Sequence, residues 1–209
     1  MKLYEFALAP NPRRVRIFLA EKRIEVPKTQ VNLREAEQLK PEFLAINPFA
    51  TVPVLELDNG QRIAETIAIC RYFEATHPEP RLFGRDPHEM GVVEEWQRHV
   101  EFEGVMAIAE GFRNSTPGMK GRALTGQHAY EQIADLAERG KTRATRFFEL
   151  LDARLGQQEF VAGDRYSVAD ITALVAHDFG TRTKTISLEQ LPNLKRWYAT
   201  VSARPSAQA

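Results

Sequence analysis

Strand-forming patterns fill roughly the first 76 residues of this 209-residue chain and then stop. Lys2 to Leu8 is an apolar, strand-like run, ended by the turn Ala9-Pro10-Asn11-Pro12. Asn11 followed by Pro12 reads as a helix start, a side-chain cap and then a residue whose fixed φ suits the first turn. Val15, Phe18 and Leu19 fall on one face of that helix, with Arg13, Arg14 and Arg16 around it. A second strand fits Val26 to Val31, and a short helix fits Leu39 to Ile46, stopped by Asn47-Pro48. Thr51 to Leu57 is rich in aliphatic and β-branched residues, and Asp58-Asn59-Gly60 supplies the positive φ of a hairpin turn. The hairpin returns through Arg62-Ile63, and Thr66 opens a helix carrying Ile67, Ile69, Cys70, Tyr72 and Phe73. The order β-α-β, α, β-β-α calls for a mixed sheet, parallel in the first unit and antiparallel in the second.

After the proline-rich connector from His77 to Pro87, nothing reads as a strand. Apolar spacing predicts a long helix over 88–113, with Val92, Val93, Trp96, Val100 and Met106, and another over 126–155, bent or frayed at Gly140. Ser167-Val168-Ala169-Asp170 has the form of a capping box, and a final helix fits Leu194 to Ala203. The expected domains are therefore 1–78 (α/β, four-stranded mixed sheet), a linker over 79–87, and an all-α domain over 88–209.

Charge narrows the class of ligand. Lys+Arg and Asp+Glu both number 28, so no basic excess favours nucleic acid as a partner. Cys70 is the sole cysteine, which rules out an internal disulfide and fits a reducing compartment. The N-terminal apolar stretch is too short for a signal peptide, and no run reaches membrane-spanning length. A cytoplasmic protein without membrane or nucleic-acid partners is expected.

Three segments, in order, carry a family resemblance: Asn47-Pro48-Phe49-Ala50-Thr51-Val52-Pro53-Val54-Leu55, then Glu65-Thr66-Ile67-Ala68-Ile69, then Phe160 to Asp170. With Leu191-Pro192-Asn193-Leu194 and Ala203-Arg204-Pro205, the chain resembles the cytosolic glutathione transferases over nearly its whole length, in a bacterial-type form. The resemblance implies a thioredoxin-like first domain that holds glutathione as co-substrate and a helical second domain that shapes the acceptor site, where Phe102, Met106 and Phe112 are wall candidates. It also implies a homodimer and a role in detoxification. Pro53 would be cis, leaving the Val52 backbone to pair with the cysteinyl part of glutathione beside Thr51; a trans proline opening a strand is the plainer reading of Val52-Pro53 by itself. Glu65 and Thr66 would meet the γ-glutamyl ammonium and carboxylate at a helix N-terminus, although the same pair can serve the helix alone. Gln38, with Lys40 as second candidate, would contact the glycyl end, and both also read as solvated loop residues.

The thiol-activating position departs from the family. Relatives hold the thiolate with Tyr, Ser or Cys at the first helix, whereas Ala9-Pro10-Asn11-Pro12 has none of them. Tyr4 lies early in its strand and reads as a core aromatic. Asn11 is the remaining donor, assisted by the helix dipole and by Arg13 or Arg14, and it equally explains itself as a cap. The readings left standing are a transferase acting on a small electrophile, a glutathione-dependent disulfide or peroxide reductase, and a non-catalytic binding or regulatory protein. Other constellations are weaker. Gly140-Lys141-Thr142 lacks the earlier glycine of a phosphate loop, Glu95, His99 and Glu103 share a helical face without a second ligand cluster, and Cys70 reads as packing. No metal is expected.

Overall fold

The computed structural model describes residues 1–188 and 190–209. The chain divides into two compact units: Met1–Pro80 with Thr125–His128 and Ala209, and Arg81–Leu124 with Ala129–Gln208.

The first unit runs β1 (Lys2–Glu5), α1 (Pro10–Glu21), β2 (Lys28–Gln30), α2 (Pro41–Leu44), β3 (Val54–Glu56), β4 (Arg62–Ala64) and α3 (Thr66–Thr76). Its sheet has the order β2-β1-β3-β4, with β1 parallel to β2 and antiparallel to β3, and β3 antiparallel to β4. The mixed sheet of the sequence reading is therefore present. Strand alternation divides the core. Tyr4 and Val54 join Val31, Val52 and Phe43 of α2 in one buried cluster, while Leu3 and Leu55, both fully buried, point to the opposite face. The packed pair α1 and α3 buries Ile17, Phe18, Ile69 and Phe73. Each such side chain contributes about 1.5–3 kcal/mol when taken from water. Tyr4 is the core aromatic the sequence implied, edge-on to Phe43 at 6.3 Å. Cys70 is buried at 1% exposure within α3.

Two local expectations change in this unit. The cap of α1 is Ala9, not Asn11. Pro10 already has the fixed φ of a first helical residue, so the helix starts one step earlier and Asn11 lies inside it. The expected helix over 39–46 shrinks to Pro41–Leu44, preceded by the 3-10 turns Leu33–Glu35 and Glu37–Leu39.

The second unit contains α4 (Pro87–His99), α5 (Ala107–Ser115), α6 (Ala134–Leu155), α7 (Val168–Arg182) and α8 (Pro192–Ser202). The helix expected over 88–113 runs without a gap from Pro87 to Ser115, but Val100–Met106 between α4 and α5 is π-helical. The helix expected from 126 starts at Ala134, because residues before it close a loop through a parallel bridge in which Ala123 N–H donates to Tyr130 O and Tyr130 N–H to Gly121 O, both at 3.1 Å. Gly140 does not interrupt α6, which runs unbroken from Ala134 to Leu155. A Cβ there would sit 2.5 Å from Gly111 N and 2.7 Å from Ala107 O, so the glycine permits α5 and α6 to touch backbone to backbone. The Ser167–Asp170 capping box is present and fully buried. Asp170 accepts from Ser167 N–H (2.9 Å), Ser167 Oγ (3.0 Å), Val161 N–H (2.9 Å) and Trp197 Nε1 (2.8 Å). Burial pushes its carboxyl up to about 6 against the pull of those donors.

Candidate functional site

Strand register brings the candidate residues to one end of one sheet. Tyr4 pairs with Val54, and Val54 with Ala64. The end of β1, the start of β3 and the end of β4 therefore lie side by side. The Phe6–Ala9 turn into α1 leaves from the first, Val52-Pro53 enters the second, and Glu65-Thr66 leaves the third. All three belong to the first unit.

The turn into α1 is braced from below. Glu5, 2% exposed, forms an ion pair with Arg16 and accepts from Gln30 Nε2 at 2.6 Å. Gln30 Oε1 in turn accepts from Ala7 N–H, and Arg16 Nη2 donates to Ala7 O, both at 3.0 Å. A buried carboxylate with these partners is satisfied, and the turn that precedes Asn11 is fixed. Asn11 is half-buried, and its Oδ1 accepts from Arg14 Nη1 at 3.2 Å. Its amide N–H groups have no partner among the described residues.

Asn47 shapes the approach to Pro53. Buried at 2% exposure, it donates from Nδ2 to Thr51 O (2.8 Å) and Thr51 Oγ1 (3.0 Å), and accepts from Phe49 N–H (3.1 Å). The Val52-Pro53 peptide is cis. Val52 buries its side chain in the cluster beneath, yet its backbone N–H and C=O find no partner among the described residues. Unpaired backbone at the entry to a strand is an open edge for another extended chain.

At α3 the helix start is also left open. Its cap residue, Glu65, has φ +75° and makes no side-chain cap bond. A non-glycine residue held there costs on the order of 1–3 kcal/mol, and such positions cluster at ligand sites. The N–H groups of Thr66, Ile67 and Ala68 and the Thr66 hydroxyl are without partners among the described residues. Glu65 is exposed and forms no ion pair among them. Together these atoms offer an anion cradle with one carboxylate beside it, which suits an ammonium-carboxylate pair.

The remaining candidates sit on the connection after β2. Gln38 lies in the Glu37–Leu39 turn with its Oε1 buried and lacking a partner. Lys40 precedes α2, is exposed, and stands 3.6 Å from Glu37 Oε1. Three further participants are not among the residues the sequence singles out for the site. Asn47 is legible in part, since Asn-Pro signals a turn. The Glu5–Arg16–Gln30 brace joins distant segments. Thr125–His128 returns from the helical stretch to the first unit, where Gln127 Nε2 donates to Pro48 O. In the second unit, Phe102 and Met106 are each 53% exposed, while Phe112 packs edge-on against Phe179 at 5.7 Å. Glu103 pairs with Arg143 at 3.0 Å, and His99 stands 3.8 Å from Glu95.

A thioredoxin-like sheet with an open edge at a cis proline and an open helix start, joined in sequence to a helical unit, defines the glutathione-transferase class. Residues 9–76 match the family model for the glutathione S-transferase N-terminal domain, and residues 112–205 that for the C-terminal domain. Glutathione S-transferase 2 of Saccharomyces cerevisiae is 36% identical over 210 residues, covering 100% of this chain and 88% of the relative. A glutathione S-transferase domain-containing protein of Marinobacter aquaeolei superposes with TM-score 0.92 at 36% identity, covering 99% of each chain. A class Gtt2 glutathione S-transferase of Vibrio parahaemolyticus superposes with TM-score 0.86 at 38% identity, covering 100% of this chain and 96% of the other. The chain belongs to the glutathione S-transferase family and is a glutathione transferase. Among the described residues no helix is long and apolar enough to cross a membrane.

Proposed function

We propose that glutathione lies along the end of the sheet described above and that Asn11 hydrogen-bonds its thiolate for attack on a small electrophile. The observation that carries this reading is the coincidence of unsatisfied groups there. The backbone of Val52 pairs with the cysteinyl unit, the start of α3 with Thr66 takes the γ-glutamyl carboxylate, and Glu65 takes the ammonium. Thr51 supports Val52 through Asn47, and Gln38 meets the glycyl carboxylate, with Lys40 a weaker candidate because Glu37 already shares its charge. Asn11 donates without exchanging a proton, so it stabilises the anion and lowers the thiol from its ordinary value of about 8.5.

Because the turn has no hydroxyl, thiol or phenol, thiol–disulfide exchange is a second reading: bound thiolate attacks a disulfide sulfur, forms a mixed disulfide and expels the other sulfur as a thiolate. The same scaffold serves as a homodimer in this reading, supported by Phe49, 72% exposed, while the exposed pair Phe102 and Met106 is left to the acceptor site. A cytoplasmic place and a detoxifying role accord with a single cysteine and the family. The test is calorimetric titration of reduced and oxidised glutathione, with thiolate absorbance followed across pH in the complex. Binding of reduced glutathione with a depressed thiol pKa is expected. Failure of both forms to bind would overturn the reading in favour of a non-catalytic scaffold.

A further inference from the structure

We propose that Arg14 is a positioning residue that holds the Asn11 amide with its donor end toward the thiol, an inference that rests on the reading of Asn11 above. An asparagine amide is two-faced: one end donates and the other accepts. The accepting end turned toward a thiolate would repel it. Arg14 lies three residues on, one helical turn away on α1, and is 2% exposed. Its Nη1 stands 3.2 Å from Asn11 Oδ1. A guanidinium has donors only, so the amide atom it faces must be the oxygen, and Nδ2 is turned away from it. Nδ2 is the end without a partner among the described residues.

Burial strengthens the effect. A donor bond from a shielded cation draws on the carbonyl and makes the opposite N–H a better donor. The neighbouring charges are distributed differently. Arg16 is committed to Glu5 and to Ala7 O, which holds the turn, and Arg13 is half-buried beside them.

The experiment is a double-mutant cycle with Arg14→Met, Asn11→Ala and both together. It reads bound-thiol pKa by thiolate absorbance and glutathione affinity by calorimetry. Arg14→Met is expected to lower the acid constant of the bound thiol at least about threefold, which is a pKa rise of about half a unit. Affinity should stay within about twofold, and the double variant should be no worse than Asn11→Ala. Arg14→Gln, which can still donate to Oδ1, should lie closer to wild type. Two results would overturn the proposal: an unchanged pKa in Arg14→Met while Asn11→Ala raises it, or an undiminished Arg14→Met effect in the Asn11→Ala background. An Asn11→Ala variant with wild-type thiol pKa would instead sink the reading of Asn11. Should Arg14→Met not fold, side-chain amide relaxation in the unaltered free protein decides. The Asn11 amide should be about as rigid as helix backbone, with an order parameter near 0.85, and a freely reorienting amide contradicts the proposal.

Discussion

Two helices of this molecule begin in opposite ways. At α7, Ser167 and Asp170 close a capping box, and Asp170 also takes Val161 N–H and the Trp197 indole, so the charge is spent inside the fold. At α3, Glu65 is held at φ +75° and caps nothing, and Thr66, Ile67 and Ala68 keep their N–H groups open. Every helix start has orphan donors to satisfy. At α7 the chain satisfies them itself; at α3, where it leaves them open, the proposed function gives them to glutathione.

The contrast predicts opposite responses to mutation. Asp170→Ala strands buried donors and leaves Trp197 Nε1 unmatched, so it should cost about 3–5 kcal/mol in urea denaturation. Glutathione affinity per folded molecule should be retained. Next in size is the pH response of the same group. Its carboxyl is raised in the fold to about 6 from 3.8, so its stabilisation is fully present below about pH 4 and is lost as pH rises through 6. Stability of wild type should therefore fall relative to Asp170→Asn between pH 4 and 6.5, by at most about 3 kcal/mol, and a flat difference would contradict the burial argument.

At α3 the sign reverses. Glu65→Gly relieves a left-handed residue and should raise the melting free energy by up to about 1 kcal/mol, while glutathione affinity falls roughly tenfold with loss of the ammonium partner. A variant that lost both stability and affinity would make Glu65 a structural residue after all. Smallest is Thr66→Val, which removes one hydroxyl bond and should weaken binding about three- to tenfold at unchanged stability.

How much could be read from sequence follows the range of each interaction. Asp58-Asn59-Gly60 and Ser167–Asp170 were legible because a turn and a capping box are each completed within four residues. Val52-Pro53 and Glu65-Thr66 were legible as a pair by resemblance, and strand register explains their proximity. The α1 cap was misplaced because Pro10 and Pro12 both suit a first helical turn, and spacing does not choose between them. Propensity scores a lone helical glycine such as Gly140 as a weakness, whereas a facing Gly111 also makes it a close helix contact. The Glu5–Arg16–Gln30 brace and the return of Thr125–His128 to the first unit depend on tertiary placement, which no local pattern encodes.

The central claim is that the unspent backbone donors at Val52 and the start of α3 are the ones glutathione takes. Amide hydrogen exchange, resolved by residue with and without saturating glutathione, tests it directly. The account predicts strong new protection at Val52, Ile67 and Ala68, with Ser167 and Asp170 protected alike in both states. Unchanged exchange at Val52 and the α3 amides in a protein that demonstrably binds glutathione would contradict it.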